Sequence, residues 1–249
     1  MDALITLGVI IVTVVFFLLF WRRWQAGVKV GLRPLPPFAA LEGHVGKAIE
    51  SASQLHISLG RASLIGPANP TSIAALTILD HMARDGCANG TPPLTTVGEG
   101  TLLPVAQESL RYAYQQAEQS RDFKPGLAQF IANEKDAMVY AAGVGTLLEH
   151  EKVISNVLVG RFGPEIALIT EAAERQHMEQ VIGSDDPVAL SLAIAYTENV
   201  LIGEELLAAG AYLEGHPSQI ISLQVQDVLR WLVVAGILGS AIWRLVGGS

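Results

Sequence analysis

Leu94-Thr95-Thr96-Val97-Gly98-Glu99-Gly100-Thr101-Leu102-Leu103-Pro104 sets a strand, a glycine turn and a helix start end to end, and that order decides the fold class. Residues 94–97 are β-branched or aliphatic, as a strand requires. Gly98 and Gly100 free the backbone for a sharp turn. Thr101 can cap a helix carrying Leu103, Ala106, Leu110, Ala113, Tyr114 and Ala117 on one face.

The same grammar recurs along the chain. Gly143-Val144-Gly145-Thr146-Leu147-Leu148 echoes the Gly98 hexapeptide, with Thr146 and Glu149 spaced as a capping box. Asn69-Pro70, Gly163-Pro164 and Asp186-Pro187 each place proline at a first helical turn. Strand-length apolar runs precede these starts at 56–59, 94–97, 138–142, 154–159 and 178–182. Strands alternating with helices predict an α/β, Rossmann-like domain with a mostly parallel sheet covered on both faces. Between Gly143 and Val153 a crossover helix barely fits, so 138–158 also reads as one helical stretch, which would remove one or two strands. The apolar stretch 187–213 reads as a long helix, kept out of lipid by Glu198, Glu204 and Glu205.

Outside this domain, residues 3–21 contain no charge and are long enough to cross a bilayer as a helix. Asp2 precedes the run and Trp21-Arg22-Arg23-Trp24 follows it, a pattern expected of a retained signal anchor rather than a cleaved peptide. Arg22, Arg23, Lys29 and Arg33 predict a cytoplasmic domain and an N-terminus outside. A second run, 231–246, lies between Arg230 and Arg244 and follows Ile221, Val225, Val228 and Leu229 at helical spacing, so an amphipathic helix is expected to run into the membrane. The expected organisation is an anchor at 1–23, a proline-rich linker at 24–40, an α/β domain at 41–217 and a second anchoring helix at 218–249. In the linker, Arg33-Pro34-Leu35-Pro36-Pro37 is expected to be an extended strut.

Composition narrows the function classes. Half of the 249 residues are hydrophobic, which places part of the chain in lipid, and the net charge of -8 argues against a nucleic-acid partner. One cysteine, Cys87, excludes an intrachain disulfide and a cysteine-rich metal centre. The six histidines include no pair at metal-ligand helical spacing, and no nucleophile elbow is present. No metal and no cofactor is therefore predicted. Neither a phosphate-binding loop nor a full dinucleotide fingerprint occurs, because Leu103 and Leu148 stand where the third glycine would be. The candidate ligand contacts are Gly98, Glu99, Gly100 and Thr101, then Gly143, Gly145 and Thr146, then Gly160 and Arg161. Small residues permitting a tight turn explain these positions equally, and Arg61 and Arg161 read either as anion contacts or as partners of a nearby glutamate.

The stretches His56-Ile57-Ser58-Leu59-Gly60-Arg61-Ala62-Ser63 and 96–104 resemble an uncharacterised family of bacterial membrane-anchored proteins. The resemblance implies a bacterial inner-membrane location and no particular activity. Three expectations for function follow. The first is a non-catalytic, self-associating scaffold whose partners are the lipid bilayer and other membrane proteins. The second is a sensor or enzyme that binds a small molecule at the glycine turns, and the third is a small transporter subunit with 188–213 in lipid.

Overall fold

The computed structural model describes residues 2–28, 31–66, 69–133 and 135–247. Lys29 and the capping side chain expected at Asn69 lie outside the described residues. The chain forms two units, one of 34–214 and one that joins 1–33 to 215–249.

In the larger unit, six strands form one parallel sheet: β1 (Gln54–Gly60), β2 (Leu94–Val97), β3 (Ala128–Phe130), β4 (Val153–Arg161), β5 (Glu179–Ser184) and β6 (Val200–Ile202). Their order is β3-β2-β1-β4-β5-β6. This is the doubly wound, Rossmann-like arrangement, whose chain direction reverses between β1 and β4. Leu55, Ile57 and Leu59 alternate towards one face, where they meet α2 (Pro36–Ser51), α3 (Asn69–Ala88) and α4 (Leu102–Gln116) in a core shared with Val157, Val159 and Val181. Each of these fully buried side chains stabilises the fold by about 2 kcal/mol. On the opposite face, Leu94, Leu158 and Ile182 pack with α5 (Ala137–His150), α6 (Ile166–Arg175) and α7 (Pro187–Ala193).

Three expectations are corrected. The run 138–142 is helical, because α5 extends unbroken from Ala137 to His150 and β4 follows two residues later. An apolar run of that length suits a buried helix as well as a strand, and here Tyr140, Ala141, Val144 and Leu148 share the inward face. Residues 187–213 do not form one long helix. The stretch divides into α7, β6, α8 (Glu204–Leu207) and a π-helical turn over Gly210–Glu214, and β6 pairs with β5, which removes the third span that a transporter reading needed. Finally, Pro36 and Pro37 begin α2 rather than extending a strut, since a first-turn proline has its φ preset and needs no amide hydrogen.

The smaller unit contains α1 (Asp2–Gln25) and α9 (Pro217–Gly247). Both are long and apolar enough to cross a membrane. Arg23 and Trp24 lie beside Asp227 and Val228, so the apolar length of α1 before Arg22 and that of α9 after Arg230 begin at one level. All described side chains from Trp231 to Arg244 are exposed.

Candidate functional site

Where β1 and β4 end, the two strands are pressed together. A Cβ on Gly60 would stand 2.6 Å from the Arg161 carbonyl oxygen, and one on Gly160 would stand 2.3 Å from that of Leu59. With φ of +71° and +138°, these glycines hold backbone that side-chain-bearing residues avoid. The Arg61 amide donates to Arg161 O at 3.0 Å and the Gly98 amide donates to Gly60 O at 2.9 Å, which ties three strand ends into one rim. In an open parallel sheet, ligands occupy this crevice outside the carboxyl ends of the strands.

Carboxylates of the chain itself line the crevice. Glu165, 1% exposed, accepts from Arg61 Nε at 2.7 Å, from Arg61 Nη2 at 2.7 Å and from the Gly163 amide at 2.8 Å, all on Oε1. Glu99 accepts from the Thr101 amide at 2.7 Å and from the Thr101 hydroxyl, while Thr101 Oγ1 accepts from the Leu64 amide at 3.1 Å. Thr101 stands at the expected cap position of α4, but it is Glu99 that satisfies the amide there. Asp186 caps α7 through the Val188 and Ala189 amides at 2.8 and 3.2 Å, and Asp185 accepts from the Thr71 hydroxyl at 3.0 Å. Helix starts attract anions, and here the turns that lead into α4 and α6 and the first turn of α7 each hold one from the chain itself.

Below the rim runs a buried polar chain. Tyr140 OH lies 2.5 Å from Ser58 Oγ and 3.3 Å from Thr96 Oγ1, and Thr96 Oγ1 lies 2.9 Å from His56 Nε2. His56 Nδ1 is 2.7 Å from Asn156 Oδ1; Asn156 Nδ2 then donates to Gln180 Oε1 at 3.4 Å, and Gln180 Nε2 donates to Thr170 O at 3.1 Å. The acceptor at Asn156 requires the proton of the neutral imidazole on Nδ1, so Thr96 donates to Nε2. Burial pushes His56 down to about 4 and Tyr140 up to about 12, so both stay neutral at physiological pH. A chain of neutral, mutually satisfied groups holds strand register and carries no charge to a substrate.

The sequence-predicted residues thus separate. Gly98, Glu99, Gly100, Thr101, Gly160 and Arg161 gather at the carboxyl rim. Gly143, Gly145 and Thr146 do not: they lie inside α5, where Thr146 donates to Ala142 O at 2.9 Å instead of capping a helix. Gly143 is a packing residue, since a Cβ there would stand 2.3 Å from Ile131 Cγ2. Arg61 forms the glutamate pair that was one of its two readings. Arg161 is exposed and forms no ion pair among the described residues. Glu165 and His56 were not singled out from sequence, although a carboxylate just after Gly163-Pro164 is a helix-start signal that could have marked the former.

A family model matches residues 2–248, nearly the whole chain. The chain belongs to the family described as Domain of unknown function (DUF6754). The match runs through both units, the apolar helices as well as the Rossmann-like domain. No curated protein and no solved structure gives a significant match.

At the other end of the sheet, the DUF6754 domain has an open cleft of about 410 Å³. Its walls include His44 and Lys47 of α2, Glu179 at the start of β5, and Tyr196 and Asn199 before β6. His44 is 2% exposed; its Nε2 faces Glu179 Oε2 at 3.3 Å and its Nδ1 has no hydrogen-bond partner among the described residues. Burial pushes this imidazole below its ordinary range against the pull of Glu179, and Lys47 holds the Glu179 carboxyl low. Cys87 is buried and its thiol is pushed up to about 11, which removes it as a nucleophile. Among the described residues, no group of three His, Cys, Asp or Glu side chains is arranged to hold a metal ion.

Proposed function

We propose that this protein is a membrane-tethered, non-catalytic assembly module. In this reading α1 and α9 cross the bilayer of a bacterial inner membrane, both chain ends lie outside, and the Rossmann-like domain works in the cytoplasm by holding copies of itself or other membrane proteins. One observation carries the reading: at the carboxyl rim, Glu99, Glu165 and Asp186 hold amides of the turns at α4, α6 and α7. A phosphate arriving at those three turns would meet carboxylates already on their amides, with Arg61 paired to Glu165. Native mass spectrometry of the detergent-purified chain is expected to give a defined oligomer without small-molecule mass. A monomer that retains a nucleotide would overturn the reading. Cysteine labelling tests the topology, with Asp2→Cys reacting only from outside and Glu118→Cys only from the cytoplasm. Reaction of both from one side would sink the two-span arrangement.

A second reading, a module that responds to a small polar molecule, draws on the amino-edge cleft with its His44, Lys47 and Glu179. A metabolite panel read by thermal shift tests it: a ligand whose shift disappears in Lys47→Ala and Asn199→Ala supports it, and no shift from any member counts against it.

A further inference from the structure

Between the two apolar helices lies a second cleft, of about 240 Å³, at the level where both helices change from apolar to charged residues. Phe20, Trp24, Val28 and Val228 form apolar walls, and Arg23 and Asp227 are its charged members. Neither Arg22 nor Arg23 makes an ion pair among the described residues, whereas Asp227 lies 3.8 Å from Arg230. Two guanidiniums, Arg23 in the cleft and Arg230 beside it, therefore accompany one carboxylate, in a chain whose net charge is -8. The local excess of positive charge runs against the composition of the whole.

Basic pockets between membrane helices on the cytoplasmic side suit anionic lipid headgroups. The volume fits a headgroup and its glycerol rather than a whole lipid, so acyl chains would continue past Phe20 into the bilayer. Trp24 is half-buried and has the amphipathic ring that favours this depth. A free phosphate would gain only the guanidinium and leave the apolar walls unused. We propose that this cleft holds one anionic phospholipid, its phosphate on Arg23 and its glycerol and upper acyl carbons along Phe20, Trp24 and Val228. The proposal rests on the reading of α1 and α9 as membrane spans.

The full-length chain, purified in mixed micelles, tests it by native mass spectrometry with phosphatidylglycerol and phosphatidylcholine as competing probes. One phosphatidylglycerol per chain is expected to be retained in preference to phosphatidylcholine. Arg23→Gln lowers that preference about five-fold, the worth of one juxtamembrane arginine. Arg22→Gln, one residue away and outside the cleft, lowers it less, Asp227→Asn raises it, and Arg23→Lys keeps most of it. Millimolar inorganic phosphate leaves the bound lipid in place. Equal retention of the two lipids, an Arg23→Gln chain that behaves like the parent, equal losses in Arg22→Gln and Arg23→Gln, or displacement by inorganic phosphate would each overturn the proposal. Flotation with pure phosphatidylcholine vesicles separates the two failures. A chain that floats but shows no anionic preference defeats the lipid site alone; one that does not float defeats the anchoring reading and the site with it.

Discussion

The two edges of the sheet have opposite chemistry. At the carboxyl edge, glycines bring β1 and β4 together, a buried ion pair lies across the gap, and helix starts carry carboxylates of the chain itself. At the amino edge, a cleft of about 410 Å³ stands open and His44 retains a buried nitrogen with no hydrogen-bond partner among the described residues. Doubly wound folds ordinarily show the reverse, with the ligand crevice at the carboxyl edge. Strand order therefore cannot assign function here, because function follows the side chains that line each edge.

The comparison is most directly broken at Glu165. Glu165→Ala leaves the mostly buried Arg61 guanidinium without this carboxylate and is expected to cost about 4 kcal/mol, measured by urea unfolding. The double variant Arg61→Met with Glu165→Leu recovers most of that loss, since it removes the buried charge together with its carboxylate. A loss below about 1 kcal/mol for Glu165→Ala would show that the rim is not sealed by this pair.

His56, between the two edges, gives the next effect. Its folded pKa of about 4 lies below the ordinary 6.5, so the unfolded chain takes up the proton first. Stability is full above pH 6.5 and falls as pH drops towards 4, by about 1.4 kcal/mol per unit and about 3 kcal/mol in all. Unfolding followed from pH 7 to 4.5 is expected to show this slope, and His56→Gln, which takes up no proton, to reduce it, leaving the part due to His44. Glu99→Ala removes the carboxylate that serves the Thr101 amide and is expected to cost about 1 kcal/mol. Lys47→Met at the open edge breaks a half-exposed pair and should change stability by less than about 1 kcal/mol in the same assay. A larger loss there would make the amino edge as integral to the fold as the carboxyl one.

How much of this was legible follows from the range of each signal. Leu94–Val97 is readable because a β-branched run ends at glycine, and Asp186-Pro187 because cap and first-turn proline are neighbours. Ala128–Phe130 and Val200–Ile202 are three-residue edge strands, too short to show an alternation. Gly143 shows the limit of a motif. Its hexapeptide matches the one at Gly98, yet one lies in a helix against Ile131 and the other at the end of a strand, a difference decided by packing partners distant in sequence. The Arg61 to Glu165 pair joins residues 104 positions apart, and nothing local to either announces the other.

The placement of β4 has a consequence for how the chain is made. β1 is central, yet its second neighbour begins at Val153, after β2 and β3 have already been synthesised. A ribosome therefore releases half a sheet whose strand β1 has one bare edge, and that edge stays open to other chains until β4 emerges. Synthesis at about 5–20 residues per second leaves the edge open for several seconds. Slow codons or a truncation between β3 and β4 would lengthen that interval, and aggregation of the nascent chain should increase with it.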